Sequence, residues 1–143
     1  AIDSFTYTVT AVGGVSDTAT VQVTVTGAND APTANPDAAT GGENEVISLD
    51  LLANDSDIDN GAALSIVAAS TKAGQGSVVV NGNLVYFDPG ADFDHLAAGA
   101  TATVILSYAM QDEHGAQSAS TATITVIGEN DGPLAEPSRV VFV

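Results

Sequence analysis

Asp55, Asp57 and Asp59 alternate within the loop 54–61, so a turning chain presents three hard oxygen donors on one side. Calcium takes 6–8 oxygens at about 2.3–2.6 Å, and short alternating acids supply several of them from one segment. The run lacks the glycine and the later glutamate of an EF-hand loop, and no helix is signalled on either flank. The competing reading is a solvated turn whose acids cap local backbone N–H groups. The loop by itself leaves both open.

A second kind of mark occurs twice, as Gly27-Ala28-Asn29-Asp30-Ala31-Pro32 and as Gly128-Glu129-Asn130-Asp131-Gly132-Pro133. The two copies are 101 residues apart, and the same offset sets Phe5 on Leu106, Tyr7 on Tyr108, Val9 on Met110 and Gly14 on Gly115 without a gap. Thr20–Val25 falls on Thr121–Val126. Such ungapped self-similarity is the signature of a tandem array. Residues 1–27 therefore read as the last two strands of one repeat, 28–132 as a complete repeat, and 133–143 as a tail or the start of the next.

Other residues could do different chemistry. Asp112-Glu113-His114, with Ser107 or Ser118 as nucleophile, invites an acid/base reading, but no oxyanion-stabilising group or converging pocket is signalled. A turn between two strands explains the same residues, and His95 beside Asp94 reads as a surface or packing residue. Glycoside hydrolysis needs two facing carboxylates, whereas these acids stand in loops and at domain ends. The Thr-x-Thr runs (Thr18, Thr20, Thr24, Thr26; Thr121, Thr123, Thr125) could form an ice- or sugar-binding array. They read more simply as the solvent face of strands whose other face is Val and Ile. No enzyme is expected.

The elements that must position these residues are short strands. Residues 4–10 and 18–26 alternate with period two, as a hairpin with one buried face should. Residues 29–42, rich in Pro, Asn, Asp and Gly, read as linker and irregular edge. Strands are expected over 46–52 and 64–69. Val78–Val80 and Asn83–Phe87 form a hairpin about Asn81-Gly82, the pair that suits a type I′ turn. A helical turn is expected near Phe93–Leu96, then strands over 103–110 and 117–127. About seven short antiparallel strands in roughly a hundred residues argue for an all-β, immunoglobulin- or cadherin-like sandwich. A two-strand remnant cannot bury Phe5, Tyr7 and Val21–Val25 alone. It is expected to pair with a strand edge of the same or a neighbouring chain, with Val140–Val143 as one candidate.

Composition narrows the function. The 143 residues carry 18 Asp and Glu against Lys72 and Arg139, a formal charge of −16. Nucleic acid and anionic membrane surfaces need clustered basic residues, so nucleic acid is not expected as a partner and an anionic membrane surface is disfavoured. The chain is nevertheless 45% hydrophobic and patterned to fold, so its carboxylates need an offset, for which high salt or bound divalent cations are the usual means. There is no cysteine, and no apolar stretch long enough to insert in a membrane.

Taken in order, Leu52–Asp59, Tyr86–Gly90, Phe93–Gly99, Ser107–Gly115 and Gly128–Asp131 resemble the bacterial VCBS repeat. That family is related to the cadherin-like domains of large secreted RTX-type adhesins. The resemblance implies a calcium-stabilised sandwich in a tandem array, exported by type I secretion and held at the bacterial cell surface. It also implies that calcium is shared between Asn29-Asp30 of the linker, Asp57 and Asp59 (with Asp55) of the following loop, and Asp112. Glu43 resembles the acid that faces a junction, Asp37 is a weaker candidate, and Asn130-Asp131 begins an equivalent site downstream. Ala11-Val12-Gly13-Gly14 stands where the complete repeat has Asp112-Glu113-His114-Gly115, so the preceding unit lacks that acid. The expected role is an extender module of an adhesin or biofilm protein, with neighbouring repeats as partners. The alternative is a calcium-dependent module that binds polysaccharide or another copy of itself.

Overall fold

The period-two runs become strands and the Gly, Asn and Pro clusters become turns. The computed structural model describes residues 1–133. In chain order its strands are β1 (Ile2–Thr10), β2 (Ser16–Thr24), β3 (Asp37–Gly42), β4 (Ile47–Leu49), β5 (Ser65–Ser70), β6 (Ser77–Asn81), β7 (Leu84–Asp88), β8 (Thr101–Gln111) and β9 (Gln117–Ile127). A single 3-10 turn covers Gly90–Phe93 and is followed by a bond from Leu96 N–H to Phe93 O at 2.9 Å.

Strands β3 to β9 form two sheets, ordered β3-β9-β8-β5 and β4-β7-β6. Val104, Leu106, Tyr108 and Met110 of β8 and Ala122, Ile124 and Val126 of β9 point inward. Ile47, Leu49, Val85 and Phe87 come from the other sheet, with Leu51 joining from a loop and Phe93 from the 3-10 turn. Each large apolar side chain so buried contributes about 1.5–3 kcal/mol. The threonines of β9 face outward or sit at partial exposure, as the solvent-face reading requires.

The structure departs from the sequence reading in two places. The segment expected as irregular edge contains β3, which pairs parallel with β9 from Asp37↔Ala122 to Gly42↔Ile127. Its Ala and Gly residues carry no alternation to announce a strand. Gly41 is small for a reason: a Cβ there would lie 2.6 Å from Ile47. The sandwich is thus antiparallel except at this edge. At the β6–β7 hairpin, Asn81 pairs with Leu84, so the turn residues are Gly82 and Asn83. Only Gly82 has a positive φ (63°), the sign pattern of a type II′ turn with glycine first rather than of type I′. The Asn83 side chain then bonds Ile66 N–H and Leu64 O, tying the hairpin to β5.

The leading hairpin stands by itself. β1 and β2 pair with each other, and among the described residues with no other strand. Phe5, Tyr7 and Val9 are 57, 49 and 61% exposed. The candidate partner Val140–Val143 lies outside the described residues. Among those residues no helix is long and apolar enough to cross a membrane, which says nothing of β-barrels.

Candidate metal centre

Because β8 and β9 run antiparallel, one end of the sandwich carries the 112–116 turn and the other carries residues 100 and 128. Eleven paired residues separate these ends, a span of about 33 Å. The candidate residues divide between them.

At the first end, Asp112 closes the β8–β9 turn and is 2% exposed. Its Oδ1 accepts the N–H groups of His114 (2.8 Å) and Ala116 (2.9 Å). Its Oδ2 accepts Nδ2–H of Asn29 at 2.7 Å, reaching across 83 positions to the linker. The Asn29 amide first, and then the N–H groups of Ala116, His114 and Gly115, hold the Asp112 carboxyl below its ordinary range against the opposing effect of burial. The linker is held a second time, by Asp30 N–H donating to Asp59 Oδ2 at 2.8 Å. Asp57 Oδ1 accepts Asp59 N–H at 2.8 Å, an Asx turn that aims the loop. Asp57 Oδ2 is buried with no hydrogen-bond partner. A cleft of about 250 Å³ runs here between Asn29, Asp59, Glu113 and His114.

Asp55 turns away from this group. Its Oδ1 accepts Asn35 N–H at 2.7 Å, and its Oδ2 lies 3.0 Å from the Tyr108 hydroxyl, which is itself 2.9 Å from Asn35 O. Burial, followed by the Asp55 carboxylate, pushes the Tyr108 phenol far above its ordinary range. Asp37 belongs to the same neighbourhood. Its Oδ2 is buried without a partner, and burial raises its carboxyl, as do the Asp55 and Asp50 charges, while the Tyr108 hydroxyl opposes the rise. Alternation along Asp-x-Asp-x-Asp therefore does not give three equivalent acids: the first anchors the loop to the core, the second bonds the third's N–H, and the third bonds the linker at Asp30.

Glu43 lies at the far end, where β3 has run out beside Ile127. It is 1% exposed, its Oε1 accepts Glu129 N–H at 2.7 Å, and its Oε2 is buried without a partner. Glu129 in turn accepts Asn44 Nδ2–H at 3.0 Å and lies over Gly42, where a Cβ would come within 2.5 Å of its Oε1. Asn130 and Asp131 continue from this point and are exposed. The structure thus brings Asn29, Asp30, Asp57, Asp59 and Asp112 together and separates them from Glu43, Asn130 and Asp131.

Sequence reasoning passed over Glu129, Asn44 and Asn35. The signal for Glu129 was present, since the two Asn-Asp marks differ there: Ala28 in one copy and Glu129 in the other. Asn35 and Asn54 exchange bonds around Pro36, with Asn35 Nδ2 donating to Asn54 O and Asn54 Nδ2 to Pro36 O, and so brace the acidic loop. Asn residues scattered in a loop give no such warning.

The acid/base reading loses its geometry. Asp112 is occupied by the turn, His114 and Glu113 meet at 3.5 Å on the surface, and Ser118 Oγ accepts Ala34 N–H at 3.3 Å. Among the described residues no three His, Cys, Asp or Glu side chains stand as a ready metal cluster. Several of these carboxylates instead accept backbone N–H groups, Asp112 from His114 and Ala116 and Asp59 from Asp30.

Residues 29–128 match the family described as the bacterial cadherin-like domain. No curated protein matches the chain.

Proposed function

The chain belongs to the bacterial cadherin-like domain family, and from that premise we propose that it is an extender module of a bacterial surface adhesin or secreted biofilm protein, whose inter-domain joints calcium stiffens. The observation that carries this reading is the double tether of the linker: Asn29 to Asp112 and Asp30 to Asp59. A linker that only joined two units would have no need to bond two separate loops of the following one.

The residues suit a hard divalent cation. Every candidate donor is oxygen, and Asp57 at one end and Glu43 at the other each hold a buried carboxylate oxygen that no protein donor satisfies. At the first joint Asp57, Asp59, Asp112 and the linker oxygens of Asn29 and Asp30 would hold the ion. At the second, Glu43 with Asn130, Asp131 and residues of a following unit would do so. When bound, calcium supplies positive charge that offsets the clustered carboxylates.

The chain's own residues define the hinge. Asn29 donates one amide hydrogen to Asp112 and directs the same amide to Asp30 O, so it offsets the Asp112 charge only in part. Asp57 and Asp59 keep the loop turned toward the linker through the Asx bond. Pro32, buried, limits the path by which the linker enters the sandwich. Export to the cell surface by type I secretion, as in VCBS-containing adhesins, belongs to the same proposal.

Thermal unfolding with and without millimolar calcium, run beside a glycan array, tests this function. A calcium-dependent rise in Tm without glycan retention is expected. Calcium-dependent retention on a glycan would replace the spacer with a binding module.

A further inference from the structure

Of the 18 acids in the chain, only Asp37 lies in the four strands of the larger sheet, and its Oδ2 is buried. No lysine, arginine or histidine stands in those strands either. The outward face of β3-β9-β8-β5 is therefore free of charge, on a chain of net charge −16. Ala38, Thr123 and Ile105 stand side by side across it, as do Thr121, Ser107 and Ser70. All six are exposed. The smaller sheet does not share the property, since Asp88 stands on its outward side beside Ser77.

The β1–β2 ladder carries the same face. At the 101-residue offset, its even-numbered positions from Ile2 to Thr10 and from Ser16 to Thr24 match the outward positions of β8 and β9. Only Thr20 and Thr24 keep the residue of their counterparts, Thr121 and Thr125, yet no position in either set is charged. The opposite face does admit charge, with Asp3 in the place of Val104 and Asp17 in that of Ser118. What the two units share on this side is neutrality, not identity. We propose that the uncharged face is an interface between two copies of the chain, packed sheet to sheet about a two-fold axis.

Charge favours a second copy as the occupant. Strong like charge keeps two chains apart, and a face without carboxylates lets them meet without burying an unpaired charge. The hydroxyls favour it as well. Each Thr or Ser both donates and accepts, so the face is complementary to itself, as a two-fold contact requires. No Phe, Tyr or Trp stands among the outward positions, so a sugar ring has no aromatic to stack on. At strand spacing the face measures about 500 Å² on each copy, which buries ~1,000 Å² in total. That is the small end of specific interfaces, so the contact is weak between single units. Along an array it recurs in every repeat, and effective concentration strengthens it. The face holds none of the residues placed at either joint, so the interface is independent of calcium there.

Sedimentation velocity on residues 1–143 with a calcium chelator, at about 0.01 and about 1 M NaCl, tests the proposal; charges there act over ~30 and ~3 Å. In high salt a dimer is expected to accumulate between about 0.1 and 1 mM protein, and in low salt to dissociate. Thr123→Glu and Ser107→Glu each put one carboxylate on the face at an exposed position. Each variant is expected to keep its Tm and to stay monomeric in high salt; if one fails to fold, the other carries the test. Ser48→Glu adds the same charge to the outward side of the smaller sheet, and is expected to dimerise like the unaltered chain. A chain that is monomeric at both salt concentrations overturns the proposal, and so does one that instead binds dextran through this face. A dimer that Thr123→Glu and Ser107→Glu leave intact, or that Ser48→Glu abolishes equally, overturns it as well. Chelation keeps calcium out of the measurement, so none of these outcomes bears on the joints.

Discussion

The two ends of the sandwich carry the same Asn-Asp mark but bond it differently. At the upstream end Asn29 and Asp30 are tied to Asp112 and Asp59, and the linker belongs to the domain that follows it. At the downstream end the tie is one residue earlier, from Glu129 N–H to Glu43, and Asn130 and Asp131 stand exposed. This domain thus grips both of its flanking segments, the incoming one by loop acids and the outgoing one by a buried glutamate. On the proposed extender reading, each joint would be half-built by each of two neighbours. Both halves place a carboxylate oxygen where no protein donor reaches it, on Asp57 and on Glu43.

Breaking the comparison at its strongest point means removing Asp112. Asp112→Ala takes away the acceptor of two turn N–H groups and of the Asn29 amide together, so the largest fall in Tm is expected at the upstream end. Asn29→Ala removes one bond and leaves the turn closed, for about 1 kcal/mol. Equal losses in the two variants, measured by urea unfolding, would mean that the linker tie and the turn are one feature and not two.

Glu43→Gln sharpens the downstream half. The amide keeps an acceptor for Glu129 N–H and removes a buried charge. Without calcium, a gain of about 1 kcal/mol is expected, together with a smaller response to calcium where a following unit is present. A loss of stability in calcium-free buffer would show that the Glu43 charge already has a partner.

Acid gives the smallest and most specific contrast. The Asp112 and Glu113 carboxyls are lowered in the fold, the first chiefly by Asn29 and the second chiefly by the N–H of Ala63. A lowered carboxyl stabilises above its unfolded value of about 4 and loses that contribution as pH falls through its folded value. Asp37 is raised by burial, so its sign is reversed: its contribution is present at low pH and is lost as pH rises through the folded value. Asn29→Ala should therefore flatten the loss of stability below pH 4. Asp37→Asn should raise Tm at neutral pH by about 2 °C and have little effect in acid. NMR titration of the Asp112 and Asp37 side chains checks both directions.

Much of this was legible from residues alone, for physical reasons. Alternation of Val, Leu, Tyr and Met between residues 103 and 110 foretells the inward face of β8, because a half-buried strand needs period two. The 101-residue offset foretells that β1–β2 copies β8–β9, which the ladders repeat pair by pair. β3 was hidden because Ala-Ala-Thr-Gly-Gly owes its strand to the neighbouring β9 edge and to the space left by Ile47, and both are set by the fold. Asp55 was misdirected for a similar reason. Its position in the alternation matches Asp57 and Asp59, but the Tyr108 hydroxyl, 53 positions away, draws it inward. The turn at Gly82-Asn83 slipped by one residue because Asn81-Gly82 and Gly82-Asn83 both satisfy hairpin chemistry, and the strand register selects the second.

The central claim is that the upstream carboxylates and the linker form one calcium-locked hinge. Calorimetric titration of calcium into residues 1–143, repeated on Asp57→Asn/Asp59→Asn, tests it most directly. These replacements keep an oxygen at each side-chain bond to Asp59 N–H and Asp30 N–H while removing both charges. Binding at about 10⁻⁴–10⁻³ M in the unaltered chain, lost or weakened at least tenfold in the double variant, is the expected result. Identical heats and identical affinity in the two proteins would contradict it.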